Sequence, residues 1–247
     1  MTIEHDDDLA GLARAARAAA EARDAMAREI APGITTGALD EVGRDVLRRH
    51  GARSAPQAAY GFPGWTCISV NDALAHGIPS KHEVLRAGDL VNIDVSCVLD
   101  GYWADCGASY PVRDVSSRAK LLLWATKKAQ EEGMAAARAG EPLRMIGRAV
   151  QRRARQHRLR VVRSLGGHGV GRHIHEDPHV SNVEDRFDRK RLHEGLVITI
   201  EPFLTLGATD VYTDDDGWTL RTPDRSLGAQ FEHTLVVTKG APIVLTA

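Results

Sequence analysis

Cysteine is scarce in this chain. Its 247 residues hold three, Cys67, Cys97 and Cys106, with no CxxC spacing, so neither a disulfide framework nor a thiolate zinc motif is available. That usage is the signature of a reduced, cytoplasmic protein. No apolar run reaches the roughly 18 residues that a membrane span needs. The start, Met1 to Asp8, is polar and acidic, unlike a secretory or transit peptide. Net charge is nearly absent as well: the formal value of −1 excludes a strong pull toward nucleic acid or anionic membranes. The densest basic run, Arg152-Arg153-Ala154-Arg155, falls in a helix-like stretch and reads as a solvated face. There is no GxSxG, and no cysteine has a base near it in sequence, which argues against a serine or cysteine hydrolase. The glycines of "GGHGVG" (166–171) lack the strand–glycines–helix order of a phosphate cradle.

What the chain does have is periodicity. Leu12, Ala16, Ala19, Met26 and Ile30 recur at helical spacing after Asp6, Asp7 and Asp8, and Pro32-Gly33 ends that run. A second helix is expected from a Thr36 cap to about His50. Strand-like runs follow at Thr66–Val70, Leu90–Val98 and Tyr102–Tyr110. The order then repeats: a helix capped by Ser116 or Ser117, another with Pro142 in its first turn, and strands at 160–164, 196–203 and 231–238. "LDEVGRDV" (39–46) resembles "LRMIGRAV" (143–150), and "LRAGDLVNID" (85–94) resembles "LHEGLVITIE" (192–201). We therefore expect one α+β domain over residues 1–247, built from duplicated halves of about 7–112 and 113–247.

Each half ends an apolar strand on a carboxylate, Asp94 in one and Glu201 in the other. Burying such a group is unfavourable unless it is paired or metal-bound. "NIDVSCVLDGYWADCG" reads as a hairpin with Asp100-Gly101 at its tip. A two-residue turn there puts Asp105 opposite Ser96 and diagonal to Asp94, whereas a slip of two sets the aspartates face to face. Glu201 and Glu232 are single acids in otherwise apolar or neutral strands, and each alone also suits a satisfied core carboxylate. With His168 the four acids make a set of oxygen ligands and one imidazole. Carboxylates within about 4 Å of one another repel by roughly 4 kcal/mol per pair. Two divalent cations would cancel that charge, one only half of it. Oxygen-rich ligation favours manganese, iron or cobalt, with zinc also compatible.

The segments "AHGIP", "NIDV", "GYWADCGASY", "GHGVGRHIHEDP", "ITIEPF" and "DRSLGAQFEHT" stand in the order of the type I methionine aminopeptidases, a family this chain resembles from about residue 31 to 245. The resemblance implies a pita-bread fold with a dinuclear metal centre, its ligands on Asp94, Asp105, His168, Glu201 and Glu232. It also implies that Asp105 and Glu232 bridge the metals, Asp94 binds one of them, and His168 with Glu201 binds the other. Glu201 doubles as acid–base group, and His76 and His175 are the catalytic histidines. His173 and His179 carry no family role. The implied methionine pocket is Phe62, Cys67, Ile174 and Trp218, each of which also suits ordinary core.

Three positions depart from the usual bacterial pattern. Ile174 stands where an aromatic is common, Tyr60 replaces a common histidine, and Pro56 falls near a common pocket cysteine. Cys97 and Cys106 have opposite parity to the ligand aspartates, so they should point into the core. The implied partners are nascent polypeptide N-termini and, transiently, the ribosome, for a monomer that binds no nucleic acid or membrane of its own. The rivals are an Xaa-Pro peptidase, which usually carries a large extra N-terminal domain, and a binding module of the same fold that has lost its metals.

Overall fold

Asp100 and Gly101 both take left-handed backbone, with φ of 51° and 78°, in a computed structural model that describes residues 1–247. Two consecutive residues of that hand make the tight turn whose twist matches its strands. The strands Leu90–Leu99 and Tyr102–Pro111 therefore pair with Leu99 opposite Tyr102 and Ser96 opposite Asp105. Asp94 faces Gly107, so the two aspartates are diagonal neighbours, and the slipped register is not the one adopted.

This hairpin lies within an 11-stranded sheet. Gly228–Val236 pairs antiparallel with Tyr102–Pro111 on one side and with Val197–Ile200 on the other. Gly166–Gly169 and Glu176–Ser181 continue the sheet beyond Val197–Ile200. Helices α1 (Asp6–Arg28) and α2 (Thr36–Arg49) cover the hairpin. Leu12, Ala16, Ala19, Met26, Leu39 and Leu47 there pack with Ile93, Val95, Cys97 and Cys106. A short α3 (Ala55–Tyr60) follows. Helices α4 (Ser117–Ala136) and α5 (Arg144–Gln156) cover the other half of the sheet through Leu122, Ala125 and Val150 and through Ile146 against Ile198 and Ile200. Strands alternate faces, so Ile93, Val95 and Cys97 meet helices while Asp94 and Ser96 face the opposite way. Cys97 Sγ reaches the Ala15 carbonyl of α1 at 3.3 Å. Both Cys97 and Cys106 are thus core, as parity requires. No helix is long and apolar enough to cross a membrane.

Several boundaries differ from expectation, among them the strand at 231–238, which runs over Gly228–Val236. Thr35, not Thr36, caps α2: its hydroxyl accepts from Ala38 N at 3.1 Å, while Thr36 Oγ1 is engaged by Ser80. Pro142 precedes α5, held in a bridge to Arg191, so the helix starts after it. The run 196–203 is two strands, Val197–Ile200 and Phe203–Thr205, because Pro202 has no N–H to give to a ladder. Only Arg160–Val161 of the 160–164 run pairs. The glycine-rich strand Gly166–Gly169 had no strand pattern to reveal it.

Those glycines are needed for close approach. A Cβ on Gly167 would sit 2.3 Å from Thr199 O, and one on Gly169 would sit 2.2 Å from Asp177 O. Gly167→Ala should therefore lower stability by about 1–3 kcal/mol by prising Gly166–Gly169 from Val197–Ile200. A urea titration that left the midpoint unchanged would contradict this packing.

Candidate metal centre

Asp94, Asp105, His168, Glu201 and Glu232 come from four strands and the Pro202 break, and all five line one pocket. Asp105, His168 and Glu232 each present a donor atom within 4.8 Å of the others. His168 Nε2 lies 3.4 Å from Glu201 Oε1 and 3.8 Å from Asp105 Oδ2. His168 Nδ1 stands 2.9 Å from the Gly169 carbonyl. A carbonyl only accepts, so Nδ1 carries the proton and the Nε2 lone pair meets the carboxylates. Burial pushes the His168 pKa down to about 3, keeping the ring neutral.

The acids are held from outside the pocket. Asn92 Nδ2 donates to Gln230 Oε1 at 2.7 Å, and Gln230 Nε2 donates to Glu232 Oε2 at 2.9 Å. Glu232 Oε2 is thereby satisfied and Oε1 is not. Thr199 Oγ1 donates to Glu201 Oε1 at 3.2 Å, and Asn182 Nδ2 donates to the Glu201 carbonyl at 3.0 Å. Three buried oxygens, Asp94 Oδ1, Asp105 Oδ1 and Glu232 Oε1, have no hydrogen-bond partner. No lysine or arginine lines the pocket. Burial first, and then the neighbouring carboxylates, hold Asp94, Glu201 and Glu232 well above the usual carboxylate range. Burial pushes Asp105 up to about 6. Unpartnered carboxylate oxygens facing an imidazole lone pair fit divalent cations and little else.

The other anticipated residues line the same cavity: His76, His175, Phe62, Cys67, Ile174 and Trp218. Phe62 and Trp218 meet edge to face at 5.2 Å between centroids, giving an apolar wall beside the acids. His76 takes left-handed backbone, φ 55°, a conformation unfavourable for a side-chain-bearing residue. It is pinned by Gly77, whose O accepts from Ile68 N at 2.9 Å and whose N donates to Ser69 Oγ at 3.0 Å. His173 and His179 are exposed. The backbone N–H groups of Arg172 and His173 donate to Glu176, closing the loop that carries Ile174 and His175. Sequence reading did not single out Asn92, Gln230 or Thr199. Their signal is polarity at buried strand positions: Thr199 and Gln230 each stand two residues before the acid they hold, whereas the Asn92–Gln230 contact joins strands 138 residues apart.

A model of "Metallopeptidase family M24" matches residues 10–239. The chain belongs to metallopeptidase family M24. Among its M24 relatives is "Methionine aminopeptidase 2" of Bacillus subtilis, 45% identical over 247 residues, covering 100% of this chain and 99% of the relative. The crystal structure of a methionine aminopeptidase from Rickettsia prowazekii superposes with a TM-score of 0.95 at 37% identity and covers 100% of both chains. One from Thermotoga maritima gives 0.96 at 30% identity over 100% of this chain and 99% of that one. The M24 architecture is the pita-bread fold, as the sequence resemblance implied.

The repulsion among the acids has a measurable consequence. In chelator, Glu232→Gln should resist urea better than the unsubstituted protein, by about 1–3 kcal/mol. Added manganese should reverse that order. Identical midpoints in chelator would show that the carboxylates do not strain the metal-free fold.

Proposed function

We propose that this M24 metallopeptidase is a methionine aminopeptidase, releasing the N-terminal methionine of nascent chains whose second residue is small. The observation that carries the reading is the single pocket in which unpartnered carboxylate oxygens, one imidazole lone pair, two further histidines and an apolar wall converge. Asp94, Asp105, His168, Glu201 and Glu232 would hold two divalent cations, since four carboxylates carry four negative charges. Manganese, iron and cobalt suit these oxygens best, with zinc also compatible. Bound there, the ions would lower the pKa of a water and polarise the scissile carbonyl.

The chain's own groups do the rest. Glu201 accepts the attacking water's proton and returns it to the leaving amine. His175 donates to the oxygen that gains negative charge, and His76 holds the amide of the second residue. Phe62, Cys67, Ile174 and Trp218 receive the unbranched thioether. The two halves, about 7–112 and 113–247, act as one catalytic domain because each supplies acids to the centre. The protein would work as a monomer in the cytoplasm, meeting its substrates as they leave the ribosome.

Stripping the metal, restoring manganese, iron or cobalt, and comparing Met-Ala-Ser with an Ala-Pro peptide tests the reading. Free methionine is expected, and cleavage confined to bonds before proline would overturn it. His175→Ala and His76→Ala should each lower kcat by roughly a hundredfold or more with metal content unchanged. A parallel loss of metal would place those histidines among the ligands instead.

A further inference from the structure

Tyr60 is absent from the roles assigned so far. It ends α3, a short helix fixed at both ends: Ser54 Oγ accepts from Gln57 N at 3.3 Å, and Gly61, at φ 72°, turns the chain away. From that mount the Tyr60 hydroxyl stands 2.6 Å from His175 Nδ1. The rings are tilted by 31° with centroids 5.7 Å apart, and Tyr60 is 52% exposed. The hydroxyl is the hydrogen-bond partner of the His175 ring.

We infer that Tyr60 is a positioning residue that holds His175 in the tautomer with its proton on Nε2. The inference rests on the proposed role of His175 as a donor to the developing oxyanion. A neutral imidazole has one N–H and one lone pair. A phenol is the more acidic donor of this pair, and an imidazole nitrogen the more basic acceptor. The bond therefore runs from Tyr60 O–H to Nδ1, which leaves the proton on Nε2. Were the proton on Nδ1, the ring would present a lone pair to developing negative charge and repel it.

The adjoining ring makes the contrast. His168 and His175 meet edge to face, 4.3 Å between centroids at 76°. The Gly169 carbonyl holds His168 with its proton on Nδ1, whereas the Tyr60 hydroxyl holds His175 the other way round. Two touching imidazoles thus have opposite protonation, one suited to bind a cation and one to donate a hydrogen bond. The selecting partners are an obligate acceptor and a preferred donor.

The test is Tyr60→Phe, which keeps the ring and removes the hydroxyl. With manganese and Met-Ala-Ser, kcat should fall roughly tenfold, the scale of one hydrogen bond, while KM and metal content stay unchanged. A long-range 15N–1H spectrum of histidine-labelled, zinc-loaded protein reads the tautomer directly. The parent protein should show His175 protonated at Nε2, and Tyr60→Phe should show a mixture. A parent His175 protonated at Nδ1, an unchanged kcat in Tyr60→Phe, or a raised KM with kcat intact would each overturn the inference. A parent protein that releases no methionine with any metal would overturn the functional reading and this inference with it. The parent assay therefore tells the two failures apart.

Discussion

Four carboxylates share one buried pocket that no lysine or arginine enters, and that constraint governs the molecule. Removing acids from water is unfavourable, and crowding them makes it worse. Ordinary stability would replace them with apolar side chains. The protein instead sets them on a rigid sheet whose own strands supply the hydrogen-bonding frame, through Asn92, Thr199 and Gln230. The sheet cannot relax outward because α1, α2, α4 and α5 fill the opposite face with apolar contacts. The charge deficit is thus held in place for a cation to relieve.

The frame also gives the two oxygens of Glu232 separate duties. Asn92 fixes Gln230, and Gln230 takes one oxygen of Glu232, so the other is turned toward the cluster. Gly107 has no room for a side chain because Gln230 occupies the space, with a Cβ there lying 2.4 Å from Gln230 Oε1. Thr199 acts twice, accepting from His168 N and donating to Glu201. His168 and Glu201 are therefore linked through one hydroxyl.

Much of this was legible in the sequence where a local rule applied. Asp100-Gly101 marked the hairpin and left two registers open for Asp94 and Asp105, of which the structure takes the diagonal one. Acids interrupting apolar strands marked Asp94, Glu201 and Glu232, helical periodicity located α1, and cap and first-turn residues located α2, α4 and α5. Legibility failed where long-range packing decides. Gly166–Gly169 is a strand because its neighbours leave no room for side chains, not because its residues favour extension. Helix α3 is too short to show a period. The meeting of Tyr60 with His175 joins segments 115 residues apart, and no local pattern announces it. The roles proposed for the four acids, His168, His76 and His175 came from family resemblance, and charge counting supplied only the expectation of two cations.

The Pro202 break has one further consequence. Val197–Ile200 pairs with residues 233–236 of Gly228–Val236, and Phe203–Thr205 with residues 228–230 of the same strand. Glu201-Pro202 and Phe231-Glu232 therefore lie across an unlaced seam, where the Glu201 carbonyl accepts from Asn182 Nδ2 instead of from a neighbouring strand. Most sheets fray from their rims, where backbone groups lack neighbours. Here an unlaced point lies inside the sheet, beside the cluster of buried acids. Such a sheet would begin to part at its middle when empty, and a bound ion would act there as a rivet as well as a reagent.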